Sequence, residues 1–211
     1  MLPTYDEFDT ILKNYLGDTN KLYMFMTGVL LVDARQVGAK EYILKYISDF
    51  DRESGAYIDF YLPGYVSKED AYKVGGMFDD SWPVDINGKE FYFLPVLYEN
   101  AQKEYEYKWG VKKSRHPMLI LVDVVKENKR YVSKQKLVIE LKEYMHTSNP
   151  TVEDLFYDIF DYASSNTDMG LQHYRFRFRV LLGCHVPKIK EFLLNQIPGL
   201  VLNMITSGIG N

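Results

Sequence analysis

Two stretches of the chain are apolar at nearly every position, while most of the remainder repeats its apolar residues at helical spacing. Leu22-Tyr23-Met24-Phe25-Met26 and Met118–Val125 lack the alternation of a half-solvated strand and read as strands buried on both faces. The first resumes after Thr27-Gly28 through Val29–Val32, so it either extends to Val32 or breaks at Gly28. Helical spacing marks five segments. Phe8, Ile11, Leu12, Tyr15 and Leu16 follow a Thr4–Glu7 capping box and stop at Gly17. Ile43, Leu44, Ile47 and Phe50 define a helix from Ala39, ended by Gly55. Leu97, Ala101, Tyr105 and Lys108 define another over Leu94–Trp109, stopped by Gly110. Leu137, Val138, Leu141, Tyr144 and Met145 suggest a helix capped by Ser133. Val152, Leu155, Phe156, Ile159, Phe160 and Ala163 suggest one begun at Asn149-Pro150.

Shorter signals lie between these. Tyr57–Leu62 reads as a strand closed by the turn pair Pro63-Gly64, and Ser67 with Asp70 caps a short helix to Val74. Asn87-Gly88 between two β-favouring runs is a two-residue hairpin turn, because both residues tolerate positive φ. Tyr174–Leu182 alternates apolar residues with Arg175, Arg177 and Arg179 and reads as a strand; Pro187 opens a final helix. Strands alternating with helices predict an α/β fold. The expected form is three-layered and Rossmann-like: a mostly parallel central sheet, helices on both faces, and one antiparallel hairpin, about residues 83–93, at an edge.

Length and composition change this picture little. The 211 residues, 46% hydrophobic and 26% charged, suit a single α/β domain over 1–211, with a minor boundary near 147–150. The net charge of −4 argues against a chain-wide nucleic-acid surface. The single cysteine, Cys184, excludes an intramolecular disulfide and reads as a structural thiol. The acidic N-terminus and the shortness of the apolar runs point to a cytoplasmic protein with no membrane association.

No catalytic signature is present: neither phosphate-cradling glycine loop, nucleophile elbow nor zinc-ligand spacing occurs, so no metal site is expected and no cofactor is indicated. Candidate chemistry therefore rests on topology. In an open parallel sheet, ligands bind outside the carboxyl ends of the strands. That rule selects Thr27, Gly28, Asp123 and His185, with Asp123 notable as a carboxylate emerging from an aliphatic run. Arg175, Arg177 and Arg179 add a cationic face, which the acidic stripe of Asp154, Asp158 and Asp161 could neutralise. Lys112, Lys113, Arg115 and His116 form a second basic cluster. They precede their strand, which puts them at the end of the sheet opposite the expected cleft, and they read as complements to a helix C-terminus.

These features suggest a ligand-binding or regulatory α/β module that recognises a small anionic molecule or a protein partner. The alternatives are an enzyme of an unfamiliar family with a strand-end acidic site, or a weak nucleic-acid binder acting through the Arg-bearing strand. The C-terminal tail carries Phe192, Leu193, Leu194, Ile197, Leu200, Val201, Leu202, Met204 and Ile205. Burying a Leu-sized side chain contributes about 1.5–3 kcal/mol. The tail is therefore expected to complete the chain's own core, or to form a homodimer interface. Deleting the chain from Gly199 onward should lower the melting temperature markedly; an unchanged melting temperature and unchanged mass in solution would exclude both roles.

Overall fold

The computed structural model describes residues 2–4, 8–14, 24–54, 58–70, 73–74, 80–86, 88–145, 147 and 151–165. All lie in the compact unit Met1–Leu171. The expected single domain over 1–211, the Arg-bearing strand, Cys184, His185, the final helix and the apolar tail extend into residues outside those described.

Strands β1 (Leu2–Thr4), β2 (Met24–Leu31), β3 (Asp59–Pro63), β7 (Met118–Glu127) and β8 (Arg130–Glu140) form a five-stranded sheet in the order β1-β3-β2-β7-β8. A separate three-stranded sheet joins β4 (Tyr65–Ser67), β6 (Lys89–Phe93) and β5 (Trp82–Ile86), in the order β4-β6-β5. The helices are α1 (Phe8–Asn14), α2 (Ala39–Tyr42), α3 (Ile47–Ser54), α4 (Pro95–Trp109) and α5 (Val152–Ser165).

The mostly parallel, Rossmann-like sheet is overturned. β3 pairs parallel with β1 and with β2 over three residue pairs each. Antiparallel ladders dominate: β2 runs against β7 over eight pairs, from Met24↔Val125 to Leu31↔Met118, and β7 runs against β8 over nine. Burial of Phe25–Val32 and Met118–Val124 on both faces is as expected. Such burial is a property of any central strand covered on both sides, and it says nothing of strand direction. β2 also continues through Gly28 without a break.

The helix expected from Ser133 is a strand. Asn128 and Lys129 both adopt positive φ, 46° and 66°, the conformation of a two-residue turn whose twist suits a tight hairpin. The apolar set read as helical spans two elements: Leu137 and Val138 belong to β8, and Leu141 and Tyr144 to the 3-10 turn Leu141–Tyr144 that follows it. β8 also carries a bulge. Val122 pairs with Lys136 but Val124 with Ser133, so β8 holds one extra residue at that point. The bulge reverses which residues face which side. Ser133 and Lys136 both reach Trp109, through Trp109 Nε1–H donated to Ser133 Oγ at 3.2 Å and Lys136 Nζ donated to the Trp109 carbonyl.

Strand alternation and ring contacts assign the helices to faces. Trp109 of α4 meets Phe8 of α1 edge-on at 4.8 Å and stacks with Tyr105 at 4.8 Å, on the side that carries Ser133 and its partner Val124. The Phe50 ring of α3 stacks on Phe156 of α5 at 4.0 Å, and Phe156 lies 5.3 Å from Phe60 of β3. Phe60 pairs with Gly28, whose position forms the other side.

Local expectations fare unevenly. Ile86 pairs directly with Lys89, and Gly88 has φ +76°, so the hairpin forms, although it belongs to the separate sheet rather than to an edge of the central one; Asn87 lies outside the described residues. Thr4 ends β1 instead of capping α1. The Ala39–Phe50 helix is interrupted at Ile43, with a short 3-10 turn over Leu44–Tyr46. The buried stripe of α4 is Tyr98, Gln102, Tyr105 and Trp109. Of the expected stripe Leu97, Ala101, Tyr105 and Lys108, Tyr105 is in it; Tyr105 and Trp109 pack on Phe8 of α1, and Tyr98 packs on Phe93. The apolar face of α5 is buried as expected, and its cap is Thr151, whose Oγ1 accepts from the Asp154 backbone at 3.2 Å while Asp154 Oδ2 accepts from the Thr151 backbone at 2.7 Å.

A Cβ at Gly28 would stand 2.3 Å from the Phe60 ring. Gly28→Ala should therefore destabilise by about 1–3 kcal/mol through overpacking. Chemical denaturation checks this, and the double variant with Phe60→Leu should recover part of the loss.

Candidate functional site

Thr27, Gly28 and Asp123 are not at strand ends. Each sits mid-strand, and Thr27 and Asp123 are buried at 0% and 4% exposure. Thr27 donates its hydroxyl to the Asp59 carbonyl at 2.8 Å, closing the β2–β3 pairing. Thr27 pairs with Val122 and Asp123 with Met26, so the two side chains face opposite sides of the sheet. They do not share a cleft. Asp123 lies at the β7–β8 bulge, where β8 supplies no direct partner in register. His185, Arg175, Arg177 and Arg179 lie outside the described residues, as does Cys184. Of the acidic stripe, Asp154 serves the α5 cap.

The real carboxyl end of β2 is Leu31, followed by Val32 and Asp33; that of β3 is Pro63 with Gly64. These two strands are parallel, so the topological rule applies to this end. Leu31 pairs with Met118, the first residue of β7. Because β7 runs antiparallel to β2, the segment that precedes it arrives at the carboxyl ends of β2 and β3. The basic cluster Lys112, Lys113, Arg115 and His116 therefore lies at the carboxyl ends of β2 and β3, not at the opposite end of the sheet. Its position was legible only once the direction of β7 was known.

Two loops build this region. In the first, Asp33 holds Arg35 by a bidentate pair, Arg35 Nε to Asp33 Oδ1 at 2.9 Å and Arg35 Nη2 to Asp33 Oδ2 at 2.6 Å. Asp33 Oδ1 also accepts from the Arg35 backbone at 2.9 Å. Donating these hydrogen bonds to Asp33 raises the Arg35 pKa, so this guanidinium is charged and committed. It lies 5.6 Å from the centre of the Phe93 ring. Beneath it, Tyr65 donates to the Val32 carbonyl at 3.0 Å. Burial first, and the Asp33 charge second, push the Tyr65 and Tyr98 phenols above their ordinary range, so both stay neutral.

The second loop runs from Gly110 to Pro117. Gly110 takes φ +63° and ends α4, its N–H bonded to the Glu106 carbonyl at 2.8 Å. Val111 and Pro117 are buried and anchor the loop at both ends. Gln36 Nε2 donates to the Arg115 carbonyl at 3.0 Å, tying the loops together, and the His116 N–H donates to Ser114 Oγ at 3.0 Å. Between the anchors, Lys112, Lys113 and Arg115 are exposed and His116 is half-buried. Among the described residues no carboxylate forms an ion pair with Lys112, Lys113 or Arg115. A loop held by its backbone that presents unpaired cations can bind an anion without first ordering itself.

Among the described residues no group of three or more His, Cys, Asp or Glu is placed to hold a metal ion, and no helix is long and apolar enough to cross a membrane. No protein-family profile, no curated protein and no solved structure matches the chain.

Proposed function

We propose that this chain is a ligand-binding module that recognises a small anionic molecule at the carboxyl end of its parallel strands. The observation that carries this reading is the antiparallel run of β7 against β2, which delivers Lys112, Lys113, Arg115 and His116 to that end. Three features support it. The cations have no carboxylate partner among the described residues. The loop is fixed by the Gln36–Arg115 hydrogen bond. The one nearby carboxylate of the first loop, Asp33, is already occupied by Arg35. The local positive field stands out against a chain of net charge −4, and a local field of this kind selects anions and accelerates their encounter. Charge-assisted hydrogen bonds to a phosphate or carboxylate contribute about 1.5–3 kcal/mol each.

Thermal-shift and calorimetric titrations with inorganic phosphate, ATP and a bisphosphorylated sugar test the reading. A ligand at a hundredfold excess over its Kd should stabilise the fold by about 2.7 kcal/mol. The triple variant Lys112→Gln, Lys113→Gln, Arg115→Gln should keep the unliganded melting temperature and weaken binding at least tenfold. Equal stabilisation of the variant and the parent, or none of the probes binding at millimolar concentration, would refute the proposal.

A further inference from the structure

The three-stranded sheet sends a row of aromatic rings toward the loop that follows β2. Tyr65 of β4 and Trp82 of β5 both pair with Phe93 of β6, so the three side chains leave the sheet on one face, side by side. The loop engages two of them. Tyr65 donates to the Val32 carbonyl at 3.0 Å, and the Arg35 guanidinium stands 5.6 Å from the centre of the Phe93 ring. Tyr65 and Phe93 are fully buried. Trp82, the third in the row, is 52% exposed, and its side chain has no hydrogen bond and no aromatic partner among the described residues. We propose that the anion taken at this end of the sheet is a nucleotide with its base stacked on Trp82, a reading that rests, for the phosphates, on the anion-binding loop Gly110–Pro117 proposed above.

The neighbours of Trp82 favour a base over a plain hydrocarbon ring. An exposed indole offers a flat π-face on which any base can stack. Next in the row, Asp33 fixes the Arg35 guanidinium through Nε and Nη2, and Nη1 has no acceptor among the described residues. The Nη1 N–H groups can donate to acceptor atoms on the edge of a base, which a hydrocarbon ring lacks. Gln36 follows Arg35 and donates to the Arg115 carbonyl at 3.0 Å, on the loop that exposes Lys112, Lys113 and Arg115. One short segment thus borders the ring through Arg35 and the cations through Gln36. A nucleotide carries its parts in the same order: aromatic base, neutral sugar, phosphates.

Titration calorimetry and tryptophan fluorescence with ATP and with inorganic triphosphate test this. Triphosphate carries at least the negative charge of ATP, so charge alone would favour triphosphate. ATP should nevertheless bind the parent at least tenfold more tightly, and ATP but not triphosphate should quench Trp82 fluorescence. Trp109 is buried against Phe8 and Tyr105 and should keep its emission. Trp82→Ala should lower ATP affinity to that of triphosphate, abolish the quenching and leave triphosphate binding unchanged, which also shows that the variant is folded. Trp82→Phe keeps a stacking ring and should restore most of the ATP affinity. Equal affinities of ATP and triphosphate for the parent, or unchanged ATP binding by Trp82→Ala, would overturn the base site and leave the loop reading standing. Undiminished ATP affinity and quenching in the variant Lys112→Gln, Lys113→Gln, Arg115→Gln would instead overturn the placement of the phosphates on the loop. Absence of binding by either probe at millimolar concentration would overturn both.

Discussion

The antiparallel ladder between β2 and β7 is the constraint on which the rest of this structure depends. It joins two strands that are buried on both faces, so every backbone N–H and C=O along them must find a partner within the sheet. Eight paired positions, from Met24↔Val125 to Leu31↔Met118, meet that demand and set the register. A slip of one residue would turn Thr27 and Gly28 to the wrong sides. Gly28 would then lose the space it leaves for Phe60, and Thr27 would lose the Asp59 carbonyl. Close packing on one face and a hydrogen bond on the other thus fix β2 against β3, on the side away from β7.

From that ladder the two faces are furnished differently. On one, Phe50, Phe60, Phe156 and Phe160 form an aromatic cluster that ties α3 and α5 to β3. On the other, Phe8, Tyr105 and Trp109 bind α1 to α4. Trp109 also reaches β8 through Ser133 and Lys136. The bulge is what lets two β8 residues three apart serve the same tryptophan. It adds one residue to the strand and turns its outer half over, so that Leu137 and Ile139 pack with Leu121 and Leu119 on the opposite face.

The proposed anion site follows from where cations were left without a carboxylate among the described residues. The chain is acidic overall, and several of its carboxylates are paired: Asp33 with Arg35, Asp9 with Lys108, Glu127 with Lys134. Exposed pairs of this sort contribute little to stability, about 0–1 kcal/mol each. Their effect on the surface field is larger than their effect on folding. The cations at the β2–β3 carboxyl ends, Lys112, Lys113 and Arg115, have no such partner among the described residues.

Sequence alone determined the elements whose cause is local. The α5 apolar face, the end of α4 at Gly110, the two doubly buried strands and the Ile86–Lys89 hairpin rest on spacing, caps and turn chemistry within a few residues. The basic cluster Lys112–His116 was equally visible as composition. Tertiary structure alone decided strand direction, and with it the end of the sheet that the basic loop reaches. A run such as Met118–Val125 is apolar in either direction, because both-face burial depends on what covers a strand and not on which way its neighbour runs. Reversing β7 moves the loop before it from one end of the sheet to the other. Asp123 is interior because β7 continues past it to Glu127. β8 was hidden because the apolar set read as helical crosses an element boundary: Leu137 and Val138 lie in β8 and Leu141 and Tyr144 in the 3-10 turn after it, and it is the pairing with β7 that holds the first part extended.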